Sequence, residues 1–208
     1  PQLTERALKY DLTIPFARFV AMNSGQLTLP YKRYQIQQVW RADRPQKGRY
    51  REFTQCDADV VGSQSLLNEV ELTGIYHDVF TGLGLKEYTL KINSRKILLA
   101  LAEKCGGIAL LTDITIAIDK LDKIGIEKVR TELEQKGLTP AQISTIEKYL
   151  AINGSNAEKL KALPALLDNE SALEGIREIS YVLEKTATYN IDVDFTLARG
   201  LNYYTGLI

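Results

Sequence analysis

Two runs of alternating residues on either side of a loop place the strongest constraint on how this chain folds. Side chains of residues 34–40 alternate between two faces, as a β-strand requires, and residues 51–61 do the same. The intervening residues, 42–50, contain Pro45 and Gly48, which are typical of a loop. Together the three segments predict a long-looped β-hairpin.

One face of the second predicted strand is polar. Phe53, Gln55, Asp57 and Asp59 share this face because side chains repeat with a period of two. A strand inside a sheet normally gives at least one face to apolar packing. The row therefore predicts the floor of a site for a polar ligand, and a solvent-exposed face is the alternative.

The hairpin loop and its borders are rich in cations. A flexible basic loop between rigid strands can close over phosphate groups through bidentate contacts, although a solvated loop is the alternative. Neither G-x-x-x-x-G-K-[ST] nor G-x-G-x-x-G occurs in the sequence, so side chains would have to bind any phosphate. The cations are Arg41, Arg44, Lys47, Arg49 and Arg51.

Two further segments carry groups suited to binding. Asp11 and Thr13 lie two residues apart, and their carboxylate and hydroxyl could both reach an ammonium group. Near the other end of the sequence, Arg199 is followed by Tyr203 and Tyr204, whose rings can pack on a flat ligand and hydrogen-bond to it.

The rest of the sequence predicts a mixed α and β organisation. Residues 72–83 have helical spacing with Gly84 as a stop, residues 88–92 alternate as a strand, and Ser94 can cap the next helix. We therefore assign residues 1–107 to a mixed core. Residues 108–188 predict a helical insertion, including a capping box formed by Ser171 and Glu174. A strand returns near Ile191, so residues 189–208 are assigned to the core again.

Composition excludes several classes of protein. The 26 basic and 26 acidic residues balance, so no global field favours nucleic acid, and no apolar run could span a membrane. The two cysteines, Cys56 and Cys105, favour a reducing, cytoplasmic environment and argue against a metal centre. We expect His77, the sole histidine, to lie on a helix surface. The first and last residues suggest a piece of a longer protein.

Three long segments in this order resemble the histidyl-tRNA synthetase family: residues 10–18, 39–59 and 197–206. The resemblance implies an α+β protein with the class II synthetase catalytic fold, an antiparallel sheet flanked by helices, and a helical insertion domain. It implies a cytoplasmic homodimer that acts on histidine, ATP and histidine tRNA, with Mg²⁺ bound through the ATP phosphates. No metal site of the protein's own is implied.

The resemblance also implies roles for single residues. Arg41 and Arg199 are the implied catalytic residues, and both contact the α-phosphate of ATP. Arg49 reaches the outer phosphates and Phe53 stacks on adenine. The implied histidine-binding residues are Asp11, Thr13 and Gln55 for the ammonium group and Asp59, Tyr203 and Tyr204 for the imidazole.

Two other functions remain open from the sequence. A regulatory subunit of ATP phosphoribosyltransferase has the same fold without the ligase activity, and a synthetase-like domain could sense uncharged tRNA within a larger protein. Arg41, Arg49, Arg199, Tyr203 and Tyr204 are all present, which favours the enzyme.

Overall fold

The computed structural model describes residues 6–198 and 204–208. The chain divides into two compact units, Pro1–Asn68 and Glu69–Ile208. In chain order the elements are α1 (Thr13–Asn23), β1 (Tyr31–Trp40), β2 (Glu52–Val61), α2 (Leu67–Gly82), β3 (Leu90–Ile92), α3 (Arg95–Lys104), α4 (Leu111–Asp119), α5 (Leu121–Ile124), α6 (Ile126–Gln135), α7 (Pro140–Leu150), α8 (Asn156–Ala162), α9 (Glu170–Lys185) and β4 (Ile191–Val193), with short 3₁₀ turns at Ile108–Leu110 and Leu163–Ala165.

The first unit is built around the predicted hairpin. β1 and β2 are antiparallel, and their register runs from Tyr31 opposite Val61 to Trp40 opposite Glu52. β1 begins at Tyr31, three residues before the predicted run. The backbone N–H of Trp40 donates to the carbonyl of Lys9 at 2.9 Å, which joins the segment before α1 to the end of β1. The loop therefore connects two strands that are paired up to its borders, Trp40 and Glu52.

The second unit has a continuous apolar core. α3 supplies Ile97, Leu98 and Leu101, all fully buried, and α4, α6, α7 and α9 pack their apolar residues into the same cluster. Gly175 of α9 allows a close approach to α3, because a Cβ there would lie 2.8 Å from Cγ1 of Ile97. The helices within residues 108–188 thus share one core with α3, while the predicted insertion domain stays a prediction.

The two short strands of the second unit pair in parallel, with Leu90 opposite Ile191 and Ile92 opposite Val193. On the other side of β3, the backbone groups of Asn93 and Ile208 exchange two hydrogen bonds of 2.9 Å, in an antiparallel arrangement around Ser94 and Leu207. The last described residues are therefore anchored beside β3.

Helix boundaries confirm one predicted cap and correct another. The Ser94 hydroxyl accepts from the N–H of Lys96 at 3.2 Å, as predicted. The predicted capping box of Ser171 and Glu174 is wrong, since α9 begins earlier and Asn169 caps it by accepting from the N–H of Ala172. An asparagine is an equally good cap, and it comes first along the chain.

Candidate functional site

The polar row on β2 lies on the more enclosed face of the hairpin. Phe53, Gln55, Asp57 and Asp59 are half-buried, whereas Glu52, Thr54 and Cys56 on the opposite face are exposed. The register places Val39, Gln37, Gln35 and Arg33 of β1 opposite these four residues, in that order. The two strands together thus present one continuous polar floor with Phe53 and Val39 at its end, and its β2 residues are neither buried nor fully exposed.

Amide and carboxylate groups on this floor bond to one another. Nε2 of Gln55 donates to Oδ2 of Asp57 at 3.1 Å, and Nε2 of Gln35 donates to Oε1 of Gln37 at 2.8 Å. Lys9 also donates to Gln37. Oε1 of Gln55, however, is buried without a hydrogen-bond partner. An unmatched buried acceptor costs about 1–3 kcal/mol, so this oxygen is suited to receive a donor from a ligand.

Arg41 is fixed at the point where β1 enters the loop. Its Nε donates to the carbonyl oxygen of Tyr10 at 3.0 Å, and its guanidinium lies over the ring of Phe53, 5.1 Å from the centroid. The two contacts hold the planar cation beside an aromatic ring while leaving its terminal nitrogens without a hydrogen bond inside the described residues. Arg41 can therefore present donors to an anion next to the surface on which a flat base could stack.

Arg49 is held far more loosely. Its Nε lies 3.6 Å from Oδ2 of Asp43, and the two side chains are 60% and 44% exposed. The loop turns at Gly48, whose φ of +77° favours glycine. An exposed pair at this distance contributes little to stability. The cation can leave Asp43 and reach a phosphate at small cost.

Asp11 and Thr13 lie at the start of α1. Oδ1 of Asp11 accepts from the N–H of Ile14 at 3.2 Å, which satisfies one of the free donors at the helix end. Thr13 is the first residue of α1 and is exposed. This hydrogen bond thus orients the Asp11 carboxylate, and both side chains keep acceptor capacity for an ammonium group.

Asp59 has a partner that the sequence analysis did not identify. Nη2 of Arg33 lies 2.8 Å from Oδ2 of Asp59. Burial raises the pKa of the Asp59 carboxyl and the charge of Asp57 raises it further, while Arg33 opposes both effects. Extending the period-two alternation back to Tyr31 would have placed Arg33 on the polar face, but pairing it with Asp59 requires the hairpin register.

Of the remaining predicted residues, Tyr204 is the one that the structure describes, and it belongs to the second unit. Arg199 and Tyr203 lie outside the described residues. Tyr204 is 46% exposed and precedes the segment anchored beside β3. The first unit therefore gathers Asp11, Thr13, Arg41, Arg49, Phe53, Gln55 and Asp59 around its hairpin and α1.

His77 lies on α2, where a surface position was predicted, and it is half-buried. Its ring stacks on Tyr189, with centroids 4.3 Å apart and planes inclined by 18°, and its Nδ1 hydrogen-bonds to the hydroxyl of Tyr88. Tyr189 is far from His77 in sequence, so helical spacing alone could not reveal this packing. These contacts with Tyr88 and Tyr189 give His77 a structural role in packing α2.

The described part of the chain has neither a cluster of metal-binding side chains nor a membrane-spanning helix. Across residues 6–198 and 204–208, His, Cys, Asp and Glu side chains form no group of three or more able to hold a metal ion. Within the same ranges, every helix is too short or too polar to cross a bilayer.

Comparison with known proteins places this arrangement in a family. The family model described as "Histidyl-tRNA synthetase" matches residues 3–208. A solved structure, histidyl-tRNA synthetase from Nostoc sp. PCC 7120, superposes with a TM-score of 0.88 at 34% identity, covering 100% of this chain and 49% of that one. A Bacillus halodurans protein titled as an ATP phosphoribosyltransferase regulatory subunit/histidyl-tRNA synthetase has a TM-score of 0.80 at 22% identity over 96% of this chain and 52% of that chain, which shows a shared fold.

Curated relatives carry a uniform name. "Histidine--tRNA ligase" of Bacteroides fragilis is 54% identical over 98% of this chain and 46% of its own length. The protein of the same name from Porphyromonas gingivalis is 53% identical, again over 98% of this chain and 46% of its own length. The chain thus spans about half the length of the curated relatives it matches.

These matches define the class II aminoacyl-tRNA synthetase catalytic fold, which confirms the α+β fold predicted from the sequence. The hairpin of β1 and β2 supplies its predicted antiparallel pairing. The match over residues 3–208, together with the identities above, shows that the chain belongs to the histidyl-tRNA synthetase family.

Proposed function

We propose that this chain is part of the catalytic domain of a histidine–tRNA ligase. The enzyme activates histidine with ATP to form histidyl-adenylate and pyrophosphate, and then transfers histidine to its tRNA. The observation that carries the proposal is the half-buried polar floor of the hairpin, which joins an arginine on an aromatic ring to amide and carboxylate groups. Relatives about half identical in sequence and named as histidine–tRNA ligases support the same activity.

The residues of the first unit divide into two proposed subsites. Arg41 binds the α-phosphate and the histidine carboxylate, Phe53 stacks on adenine, and Arg49 swings from Asp43 to the outer phosphates. At the histidine end, Asp11, Thr13 and Gln55 receive the α-ammonium group. The Oε1 atom of Gln55, which lacks a hydrogen-bond partner, is an acceptor for this ammonium group. Asp59 accepts a hydrogen bond from the imidazole.

The chemical step needs charge stabilisation and positioning. An oxygen of the histidine carboxylate attacks the α-phosphorus of ATP, a new O–P bond forms, and the bond to pyrophosphate breaks, so the leaving group takes the electron pair. Negative charge spreads over the phosphoryl oxygens in the transition state. Guanidinium groups held in place before the reaction stabilise that charge without reorganising, and we assign this role to Arg41 and Arg199.

Recognition of histidine follows from its ring. The imidazole presents one donor and one acceptor, which Asp59 and the phenols of Tyr203 and Tyr204 complement. An apolar amino acid would leave these polar groups unpaired, and such sites reject analogues by about 10⁴–10⁵-fold. Histidine, ATP with its Mg²⁺, and histidine tRNA are thus the proposed substrates of a cytoplasmic homodimer.

Formation of histidyl-tRNA by the full-length protein tests this function. With labelled histidine, ATP and histidine tRNA, we expect label to appear on the tRNA. Binding of histidine without activation or transfer would contradict the proposal, and would indicate the regulatory function related to ATP phosphoribosyltransferase.

Arg199→Ala separates binding from chemistry. We expect this variant to abolish adenylate formation, measured by ATP–pyrophosphate exchange, and to leave histidine binding intact by calorimetry. The reason is that a transition-state contact affects the chemical step selectively. Parallel losses of binding and exchange would refute the assigned role.

A further inference from the structure

Arg33 lies directly across the hairpin from Asp59. The two residues are register partners in the antiparallel pair, and Nη2 of Arg33 is 2.8 Å from Oδ2 of Asp59. Their side chains are only 9% and 26% exposed. A charge pair this enclosed is costly to desolvate, unlike the loose surface pair of Arg49 and Asp43.

Three other groups hold the Arg33 guanidinium. Nη2 donates to the carbonyl oxygen of Leu12 at 3.2 Å, and Nη1 donates to the side chain of Gln35. The guanidinium also lies over the ring of Phe16, 4.1 Å from its centroid. Leu12 and Phe16 are both buried, so the cation is clamped on rigid neighbours. Arg33 therefore connects the start of α1 to the carboxylate on β2.

The pair is nevertheless incompletely satisfied. Nε of Arg33 and Oδ2 of Asp59 are buried and lack an aligned hydrogen bond, although the two charged groups are in contact. With Oε1 of Gln55, they are three of the four such side-chain atoms within residues 6–198 and 204–208. Buried charges with unmatched atoms stabilise a fold poorly. Their concentration on one face indicates that the face is built to bind a polar ligand.

Arg33 favours the ionised form of Asp59, although the pKa of that carboxyl is raised overall because burial outweighs the arginine. The charged groups that act on Asp59 are Arg33 and Asp57, and burial together with Asp57 raises the pKa of the Asp59 carboxyl. Arg33 opposes the rise through both its charge and its contact. Only the ionised carboxylate is purely an acceptor, which is the form that pairs with an imidazole N–H.

From this geometry we propose that Arg33 is a positioning residue, which orients the Asp59 carboxylate so that it accepts the imidazole N–H of histidine. Arg33 itself does not touch the substrate. The inference rests on the proposed histidine site and adds a specificity determinant to it. Its effect should fall on histidine and spare ATP, because Arg33 contacts neither Arg41 nor Phe53 among the contacts of the described residues.

ATP–pyrophosphate exchange by the full-length protein tests the proposal through two KM values. We expect Arg33→Met to raise the KM for histidine about 10–100-fold, the size of effect found when a group that orients a metal-binding side chain is removed. The KM for ATP should change by less than about twofold. Arg18→Met is the matched control, since it removes the same charge from an exposed position on α1 and should change neither value.

A double-mutant cycle tests whether Arg33 acts through Asp59. Asp59→Asn should raise the KM for histidine by itself, and adding Arg33→Met should then raise it little further, because the two changes remove one interaction. Independent, multiplying effects would overturn the proposal, as would equal rises in the KM for histidine and for ATP.

Arg33→Lys keeps the test valid if the methionine variant does not fold. Lysine retains the charge but lacks the planar fork, so we expect a rise of about 3–10-fold in the KM for histidine with the KM for ATP unchanged. An unaltered KM for histidine in the lysine variant would overturn the proposal.

Wild-type protein that shows no exchange with any amino acid would overturn the proposed function, and this inference with it. Histidine-dependent exchange that Arg33→Met leaves unaffected would overturn this inference alone.

Discussion

The two units of the chain differ in where they bury their residues. In the part of the first unit that the structure describes, only Leu12, Phe16 and Val39 are buried apolar residues. The described part of the second unit buries many more, from Ile92 to Ala198. The first unit instead holds a half-buried polar floor with unmatched side-chain atoms. Among the described residues, the dense apolar core and the half-buried polar floor thus lie in different units.

This difference has a physical basis. A dense apolar core stabilises a fold because it removes apolar surface from water, but it offers a charged substrate nothing to bind. A floor of amides, carboxylates and guanidinium groups binds such a substrate and adds little to folding. Substitutions on the polar floor of the first unit should therefore change activity more than stability, and those in the apolar core of the second unit should do the reverse.

Arg41→Ala should produce the largest effect. Removing a guanidinium that stabilises transition-state charge is expected to lower histidine-dependent ATP–pyrophosphate exchange by about a hundredfold to a thousandfold, while the thermal midpoint stays within about 2 °C. Arg177→Ala, at an exposed position of α9, is the matched control and should change neither quantity. If Arg41→Ala instead lowers the thermal midpoint together with the activity, then Arg41 contributes to stability and the expected contrast between the polar floor and the apolar core is wrong.

Leu98→Ala should have the next largest effect, on stability. Leu98 is 0% exposed in α3, so the cavity left behind should cost about 2–5 kcal/mol of unfolding free energy, measured by urea denaturation. Ile36→Ala on β1 removes a side chain that is 64% exposed and should cost less than about 1 kcal/mol. Equal losses would contradict the view that the apolar core of the second unit supplies most of the stability.

Gly175→Ala tests the close approach of α9 to α3. An added Cβ would lie 2.8 Å from Cγ1 of Ile97 and 3.3 Å from its backbone nitrogen, so we expect a loss of about 1–3 kcal/mol despite the higher helix propensity of alanine. Gly82→Ala at the end of α2, where a Cβ meets nothing within 4 Å, should be neutral or slightly stabilising. A stable Gly175→Ala variant would show that the two helices can move apart freely.

Thr139→Ala should have the smallest effect. The Thr139 hydroxyl accepts from the N–H of Gln142 in a capping box that begins α7, and its loss should cost about 1 kcal/mol in urea denaturation. Thr145→Ala inside α7 removes a hydroxyl that bonds only to the carbonyl of Ala141 among the described contacts, and should change stability by less than about 0.5 kcal/mol. Equal free energies of unfolding for the Thr139→Ala and Thr145→Ala variants would argue against a contribution from the cap.

Local patterns predicted much of this molecule. The alternation that defines β1 and β2, and the polar face of Phe53 to Asp59, are properties of neighbouring residues, so the sequence alone was sufficient. The predicted run began at Tyr34, so the first three residues of β1 were missed. Alternation along β1 places Arg33 on the polar face, but only the hairpin register shows that Asp59 lies opposite it.

Contacts between residues far apart in sequence could not be predicted from local patterns. The stacking of His77 on Tyr189, and the closeness of Gly175 to Ile97, join elements that are far apart in sequence. Periodicity reports which face of an element is apolar, but it does not identify the residue that meets that face. The roles assigned to Arg199 and Tyr203 came from the family resemblance, and they remain predictions.

Amino-acid-dependent ATP–pyrophosphate exchange tests the central claim most directly, on the full-length protein with each of the twenty amino acids in turn. The proposed site predicts exchange with histidine alone, because only an imidazole satisfies both the carboxylate of Asp59 and the phenols assigned to its pocket. Histidine binding without exchange would contradict the ligase function. Exchange with a different amino acid would contradict the assignment of the polar floor to histidine.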